Sequence, residues 1–264
     1  VDASDDKAAE HLLNATGLFP KPLPQLRVGA TDDDSASDHS ADLRKRLKDN
    51  FRFLGRLFGK ALMDNRIVPL PLHPLFLDCV VGRSVGRAQL AQLIGANEAD
   101  SEIAKKWPGG TLVATALAIE RAVVKETAKM QVSTELLAGS EQELEPEPEQ
   151  QPESAASRLE SDAAAAFAGR KLAEACPGIV TEDSEMTVAE YLEYGATFDD
   201  PGNIDPTQPA PLIDGGSERS VTVECIGEYL DAVQAQWLGN GVALQRKAFA
   251  QGLGEVFSVD ALLA

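Results

Sequence analysis

The sequence predicts an α+β fold that is mainly helical, with a small β-containing subdomain. With 264 residues and 44% hydrophobic content, the chain can bury a sizeable core. Apolar side chains recur every three or four residues over several long segments, which is the spacing of one buried helix face. Two short runs that contain β-branched or aromatic residues are candidate strands. The helical segments outnumber the strand candidates, so we expect helices to dominate.

Composition limits the classes of function. The formal net charge of −18 would repel a DNA or RNA phosphate lattice, so nucleic-acid binding is not expected. Three widely separated cysteines without CxxC or Cys/His spacing predict neither a disulfide framework nor a zinc site, and they fit a reducing compartment. Apolar runs are too short to span a bilayer, and the first residues lack a signal-peptide pattern. We expect a soluble protein of the cytoplasm and/or nucleus.

Two acidic segments predict irregular structure. Residues 31–42 are acidic and serine-rich, and we predict a loop there. Residues 134–162 carry nine acidic side chains against one arginine, with prolines between them. Such a tract cannot bury enough apolar surface to fold, so we predict a disordered insertion. A specific acidic docking motif is the alternative interpretation of the same segment.

The first predicted helix combines an apolar stripe with a basic one. The apolar positions follow helical spacing at Leu47, Phe51, Leu54, Phe58, Ala61 and Leu62, and the basic positions step by fours at Arg44, Lys48, Arg52, Arg56 and Lys60. Gly55 and Gly59 lie one turn apart near the apolar stripe, although glycine costs a helix about 1 kcal/mol relative to alanine. We interpret them as the place where a neighbouring element comes close. The basic stripe is either solvated or a surface for an acidic partner.

A proline-spaced segment follows this helix. The helix is predicted to end after Asn65, because Pro69, Pro71 and Pro74 lack an N–H and bias the preceding residue toward extended geometry. We predict an extended strip that continues into Leu75–Gly82.

The remaining elements alternate between helix and short strand. Further helices are predicted over Thr111–Met130, Ser161–Ala175, Glu224–Leu238 and Val242–Phe257. Short strands are predicted at Gly195–Phe198 and Ser220–Val223, on either side of a connector rich in proline and glycine. The hydroxyl oxygen of Thr222 is placed to cap the helix that follows.

Residue patterns alone do not indicate catalysis. His11, His39 and His73 stand far apart in different contexts, so they predict neither a triad nor a metal site. The phosphate-binding patterns GxGxxG and GxxxxGK[ST] are absent from the sequence. We therefore predict no cofactor and no metal.

Five blocks, taken in order, resemble the N-terminal lobe of HECT ubiquitin ligases, above all the large ligases of the ubiquitin-fusion-degradation type. The blocks are Gly17–Pro24 (GLFPKPLP), Phe51–Gly82 (FRFLGRLFGKALMDNRIVPLPLHPLFLDCVVG), Gly195–Gly202 (GATFDDPG), Gly215–Leu230 (GGSERSVTVECIGEYL) and Gln251–Phe257 (QGLGEVF). The resemblance covers most of residues 1–264, with the acidic tract as an insertion. It implies a partial HECT domain, the N-terminal lobe, in which the C-terminal lobe is absent.

The resemblance also implies a function. In this family the N-terminal lobe docks a ubiquitin-conjugating enzyme charged with ubiquitin. Ubiquitin then passes as a thioester to a cysteine of the C-terminal lobe, and from there to a lysine of a protein substrate. That cysteine lies in a Thr-Cys motif beyond a hinge, outside this chain, so we expect the chain alone to be inactive. The alternative is a non-catalytic interaction module derived from such a lobe.

None of the three cysteines is expected to replace the family nucleophile. Cys79 stands among apolar residues and is interpreted as a buried structural thiol. Cys176 precedes a proline at a predicted helix end and matches no family nucleophile. Cys225 lies in the first turn of a predicted helix, where a thiol pKa can be lowered. Its position is one where the family usually has asparagine, so catalysis is not expected there.

One aromatic residue is implied as a contact with the conjugating enzyme. In the family, the smaller part of the lobe presents an apolar groove that includes an aromatic residue, and Tyr229 occupies that position here. The alternative is that Tyr229 faces the core of its own helix pair, and the sequence leaves both placements open. Three further residues of the same subdomain are expected to pack rather than make contact: Leu192, Tyr194 and Phe198. Asp199 and Asp200 replace residues that are usually less acidic in the family.

Overall fold

The computed structural model describes residues 17–23, 34–95, 109–138, 161–175, 185–203 and 209–257. The α-helices, numbered along the chain, are α1 Asp34–Met63, α2 Pro74–Val80, α3 Arg87–Leu93, α4 Gly110–Ala138, α5 161–168, α6 Leu172–Ala175, α7 Val188–Gly195, α8 Ile226–Gln234 and α9 Ala243–Gly254. This confirms the prediction of a mainly helical protein. Among these helices none has a stretch long and apolar enough to cross a membrane.

The chain divides into two compact units. Unit 1 contains Val1–Leu93 and Gln234–Ala264, and unit 2 contains Ile94–Val233. Unit 1 therefore joins the first part of the chain to the last part, whereas unit 2 is continuous in sequence.

Helix α1 begins earlier than predicted. It starts at Asp34, so the prediction of a loop over residues 31–42 is wrong from that residue onward. Asp42 forms an ion pair with Arg46 one turn later, at 2.8 Å. Pairs of opposite charge at this spacing stabilise a helix.

The glycines of α1 lie where this helix crosses α9, as predicted. A Cβ atom at Gly55 would overlap the Phe249 carbonyl oxygen and would lie 2.8 Å from the Leu253 backbone nitrogen. From the other side, a Cβ atom at Gly252 would overlap the backbone of Arg52. The absence of side chains at Gly55 and Gly252 lets the two helices approach backbone to backbone.

The proline-rich segment leads into a helix rather than a continuous strip. Residues 66–73 form no helix and contain one β-bridge residue, Leu72, but Pro74–Val80 forms α2, so the extended prediction is wrong there. Proline is favourable in the first turn of a helix, because its missing N–H would be unpaired in any case. His73 caps α2 by accepting the Leu75 N–H on Nδ1 at 3.1 Å. Phe76 of α2 packs in the core of unit 1 with Phe249 and Leu253.

The chain changes helix type after α8. The predicted helix Glu224–Leu238 is an α-helix only over Ile226–Gln234, and a π-helix follows over Ala235–Gly239. A 3₁₀ turn at Asn240–Val242 then leads into α9. Wider and tighter turns of this kind adjust the register of a helix, often at functional sites.

In unit 2, the long helix α4 runs through the predicted Thr111–Met130 and extends to Ala138. Its end therefore includes the first residues of the predicted acidic insertion 134–162, and α5 includes the last ones, while residues 139–160 lie outside the described part.

The single helix predicted over Ser161–Ala175 is interrupted after residue 168. There the chain pairs with the start of α7, through the Leu172 N–H to Met186 oxygen at 2.9 Å. A tertiary hydrogen bond thus replaces the helical one.

The two predicted strands pair with each other but only as an isolated bridge. Thr197 and Ser220 form an antiparallel bridge, and Asp199 and Pro211 form a second one. The prediction of strands at Gly195–Phe198 and Ser220–Val223 is therefore wrong, since these segments contain bridge residues but no regular strand. The backbone N–H of Phe198 donates to the carbonyl oxygens of Gly216 and Arg219. These hydrogen bonds connect Phe198 to the turn at residues 216–219 and not to a neighbouring strand.

Candidate functional site

The candidate site is a small subdomain of unit 2, formed by residues 185–203 and 209–233. It contains α7, the two bridges and most of α8. Its core consists of buried side chains from all of these parts: Val188, Leu192, Phe198, Leu212, Val221, Ile226, Tyr229 and Leu230. This is the part of the chain that contains the predicted contact residue.

Helix α7 is fixed by a capping box. The Thr187 hydroxyl accepts the Glu190 N–H at 3.2 Å, and the Glu190 carboxylate accepts the Thr187 N–H at 2.8 Å. The Thr187 N–H, followed by the Thr187 hydroxyl, which donates to the same carboxylate at 2.9 Å, lowers the pKa of Glu190. Leu192 on this helix is buried, as predicted, but Tyr194 is 83% exposed. The prediction that Tyr194 packs is therefore wrong, because its place on α7 points the ring away from the core.

Tyr229 lies in the core of this subdomain. It is 0% exposed, and its ring meets the buried Phe198 ring edge to face, with 5.6 Å between ring centroids. Of the two placements left open, the structure has the one in which Tyr229 packs within its own subdomain. Its hydroxyl is buried and has no hydrogen-bond partner among the described residues. Burial, followed by the nearby Asp200 charge, raises the pKa of Tyr229 far above its usual range.

The two acidic residues after Phe198 stabilise the loops around it. Asp199 accepts hydrogen bonds from the Ser217 and Thr197 hydroxyls at 2.6 and 2.9 Å. Asp200 accepts the Gly202 N–H at 2.9 Å in a local turn. Their departure from the family pattern thus has a structural role, and both carboxylates contact groups of this chain.

An ion pair covers the Phe198 ring. Arg219 forms a bidentate pair with Glu228 at 2.6 and 2.5 Å, and its guanidinium lies 4.3 Å from the Phe198 centroid. The same pair lowers the pKa of Glu228. Sequence reasoning missed this pair, since nine residues separate its members and no helical or strand spacing connects them.

Cys225 contacts the residues just before α8. Its sulfur lies 3.1 Å from the Thr222 nitrogen and 3.4 Å from the Thr222 hydroxyl, both of which donate to it. Helix α8 begins at Ile226, so Thr222 lies too early to be its cap as predicted. The thiol is partly exposed, and its contacts with Thr222 belong to the turn that precedes α8.

The other cysteines give no nucleophile in the described residues. Cys79 is buried in unit 1, as predicted, and its thiol lies 3.7 Å from the Leu238 carbonyl oxygen. Burial raises the pKa of Cys79, which opposes formation of a thiolate. Cys176 lies outside the described residues.

A family model described as HECT-domain (ubiquitin-transferase) matches residues 9–263, and the chain therefore belongs to the HECT-domain family. Two curated relatives agree with this assignment. The chain is 26% identical to the E3 ubiquitin-protein ligase hecd-1 of Caenorhabditis elegans over 252 residues, which are 94% of this chain and 8% of that protein. It is 38% identical to the Ubiquitin fusion degradation protein 4 of Saccharomyces cerevisiae over 85 residues, which are 32% of this chain and 5% of that protein.

The chain thus spans less than a tenth of the length of either relative. No solved structure matches it. The match to the family model confirms the resemblance to HECT ubiquitin ligases that was drawn from the five sequence blocks.

Proposed function

We propose that this chain is the part of a HECT ubiquitin ligase that docks a ubiquitin-conjugating enzyme. The observation that supports this most is the family match over residues 9–263. In the proposed reaction the conjugating enzyme brings ubiquitin as a thioester, a cysteine outside this chain attacks the carbonyl carbon, and the thiol of the conjugating enzyme leaves. A substrate lysine then takes the ubiquitin, which forms an amide and frees the cysteine.

We place the docking surface at Tyr194 rather than Tyr229. A protein partner reaches side chains on the surface, and Tyr229 is 0% exposed whereas Tyr194 is 83% exposed. Both belong to the small subdomain, and the capping box at Thr187 holds the helix that presents Tyr194. Exposed tyrosines are among the residues that contribute most to protein interfaces, because they bury a large ring at low entropic cost. Tyr229 supports this surface from within the core.

Replacement of Tyr194 tests this placement. In the Tyr194→Ala chain we expect binding to a cognate ubiquitin-conjugating enzyme to weaken about thirtyfold, which corresponds to about 2 kcal/mol at an interface aromatic residue. The melting temperature should stay within about 1 °C of the original, because an exposed side chain contributes little to stability. Isothermal titration calorimetry against a panel of conjugating enzymes measures the first quantity, and thermal denaturation measures the second.

Val124 provides a matched control, since it is an exposed apolar residue of α4 in the same unit. Val124→Ala should leave the affinity unchanged. Equal binding by the original and the Tyr194→Ala chains would exclude Tyr194 from the interface. Failure of the original chain to bind any member of the panel would contradict the docking function itself.

A further inference from the structure

Residues 17–23, which we call the strap, belong to unit 1 and form no helix, and Leu18 makes a β-bridge within that unit. None of the strap residues is buried, and Lys21 is exposed. The residues beneath the strap are buried, and we call them the strap groove: His73, Phe76, Gln236, Gly241 and Gln245. A partly exposed segment therefore covers a buried surface that contains several polar groups.

The groove holds the strap mainly by its backbone. Leu18 donates its N–H to the Pro71 oxygen at 2.6 Å and accepts the His73 N–H at 2.9 Å, which makes a parallel bridge with Leu72. At the other end, the Leu23 N–H donates to the Gly241 oxygen at 2.8 Å. This pattern is how an extended peptide binds along the edge of another segment.

One aromatic side chain anchors the strap. The Phe19 ring packs edge-on against the His73 ring, with 6.0 Å between centroids, and against the Phe76 ring at 6.3 Å. Aromatic pairs in this geometry add stabilisation beyond the area that they bury. The strap is thus recognised through its backbone and one ring.

Two buried glutamines of the groove are only half satisfied. Gln236 donates from Nε2 to the Leu23 oxygen at 2.8 Å, and Gln245 donates from Nε2 to the Lys21 oxygen at 3.0 Å. Each side chain is 1% exposed, and each Oε1 is buried without a hydrogen-bond partner in the described part of the chain. An unpaired buried acceptor costs about 1–3 kcal/mol.

Two residues of the strap have no N–H with which to pair these acceptors. Pro20 and Pro22 flank Lys21, and proline has no backbone N–H to donate. The π-helix Ala235–Gly239 holds Gln236 in place, and a π-turn inside a helix often marks a functional position. The groove therefore offers more hydrogen-bonding capacity than its own strap uses.

We propose that the strap groove is a peptide-binding site that takes an extended segment of another polypeptide in place of the strap. The ligand has an aromatic side chain at the position of Phe19 and free backbone N–H groups where this strap has prolines. Those N–H groups donate to the Oε1 atoms of Gln236 and Gln245, which have no partner in the described residues. The strap competes with the ligand from within the chain, at an effective concentration on the order of millimolar.

Peptide binding to the full chain tests this proposal. The probes are two fluorescein-labelled peptides, GLFPKPL and GLFAKAL, of which the second has N–H groups at both proline positions. We expect GLFAKAL to bind about fivefold more tightly than GLFPKPL, because it satisfies buried acceptors. In the Phe19→Ala chain, whose strap has lost its anchor, both affinities should rise about tenfold. Fluorescence anisotropy measures all four constants.

Further variants connect the binding to the groove. In the Phe19→Ala background, Gln236→Met or Gln245→Met should weaken GLFAKAL binding about tenfold, since methionine keeps the length but not the polar atoms. Gln251→Met, at an exposed position of α9, is the matched control and should have no effect. Addition of GLFAKAL to the original chain should also speed hydrogen exchange at the Leu18 and Leu23 amides, because the peptide displaces the strap.

Three results would overturn the proposal. The first is the absence of saturable binding to the Phe19→Ala chain at about 1 mM peptide, the concentration at which the strap itself competes. The second is binding that the Gln236 and Gln245 variants leave unchanged, or that does not speed exchange at Leu18 and Leu23. The third is a dimer, detected by light scattering, that forms by exchange of straps between two copies while the peptides do not bind.

Discussion

At the scale of single residues, two buried polar side chains have the clearest consequences. His73 and Tyr229 are both 0% exposed, and each has one polar atom without a hydrogen-bond partner among the described residues, Nε2 in His73 and the hydroxyl oxygen in Tyr229. His73 lies at the start of α2, whereas the Tyr229 ring packs against the Phe198 ring. Substitutions can therefore measure what each of these side chains contributes to the free energy of unfolding.

The cap formed by His73 should make the protein sensitive to mild acid. Burial lowers the pKa of His73 below its ordinary value of 6.5, so the unfolded chain binds a proton more readily than the folded one. Protonation also puts a hydrogen on Nδ1, which now accepts the Leu75 N–H. The contribution of His73 is fully present above pH 6.5 and is lost as the pH falls toward the lowered value. Urea denaturation from pH 7.5 to 5 measures this loss.

His73→Asn separates this effect from that of other groups. Asparagine is a strong N-cap and does not titrate. Its chain should lose less stability than the original one between pH 7.5 and 5. Parallel curves for the two chains would show that His73 keeps the same pKa on unfolding, contrary to our expectation.

Two substitutions at Tyr229 distinguish the contribution of its ring from that of its hydroxyl. Tyr229→Ala should lower the free energy of unfolding by about 3–5 kcal/mol, since it leaves a cavity against Phe198. Tyr229→Phe should be neutral or stabilising, because it removes a buried hydroxyl that has no partner in the described residues. Chemical denaturation measures both values. A Tyr229→Ala chain as stable as the original would place the ring at the surface instead.

At the scale of elements, the crossing of α1 and α9 shows what a sequence pattern can specify. The spacing of Gly55 and Gly59 predicted a close neighbour on α1, and the neighbour is α9. The pattern did not identify Gly252, which makes the same approach from the α9 side. Arg52 and Arg56 both pair with Glu255 at the edge of the crossing, so some of the basic stripe has partners within unit 1.

Alanine substitutions test this crossing. Gly55→Ala and Gly252→Ala should each lower the free energy of unfolding by about 2 kcal/mol or more, because the overlap with backbone atoms outweighs the gain of about 1 kcal/mol in helix propensity. Gly254→Ala is the control, since an added Cβ there meets nothing within 4 Å. Thermal and urea denaturation of the three variants give the comparison. A stable Gly55→Ala chain would mean that the helices are farther apart.

Helices were predicted correctly where apolar residues recur on one helix face. They were predicted poorly where a backbone group of the segment bonds to a distant part of the chain. The periodic apolar positions of α1, α4 and α9 gave their locations. The helix predicted over Ser161–Ala175 was interrupted because the Leu172 N–H pairs with Met186, which is distant in sequence. Local propensity contains no information about such a partner.

At the scale of the whole molecule, the chain belongs to the HECT-domain (ubiquitin-transferase) family, and two of its three cysteines, Cys79 and Cys225, lie in the described residues. Cys79 is buried and Cys225 accepts hydrogen bonds from Thr222. A thiol that attacks a thioester has to be accessible and partly ionised. Our proposal therefore assigns the nucleophile to a cysteine outside this chain.

A transfer assay tests this at the same scale. When a ubiquitin-charged conjugating enzyme is mixed with this chain, we expect no ubiquitin adduct that a reducing agent removes. Non-reducing gel electrophoresis, with and without dithiothreitol, makes the measurement. A reducible band would contradict the expectation, and Cys176→Ser and Cys225→Ser chains would then identify the thiol.

The sequence by itself determined the helical class, the close approach at Gly55 and the family, because these depend on periodicity, on residue size and on ordered blocks that a linear pattern contains. Only the tertiary structure decided that Tyr229 is buried while Tyr194 is exposed, and that the strap residues 17–23 lie on Gln236 and Gln245. The physical reason is that exposure and pairing depend on which distant segment covers a side chain. The sequence predicted packing for Tyr194 and left Tyr229, 35 positions later, open between surface and core, and only their neighbours in the fold set the exposure of each ring.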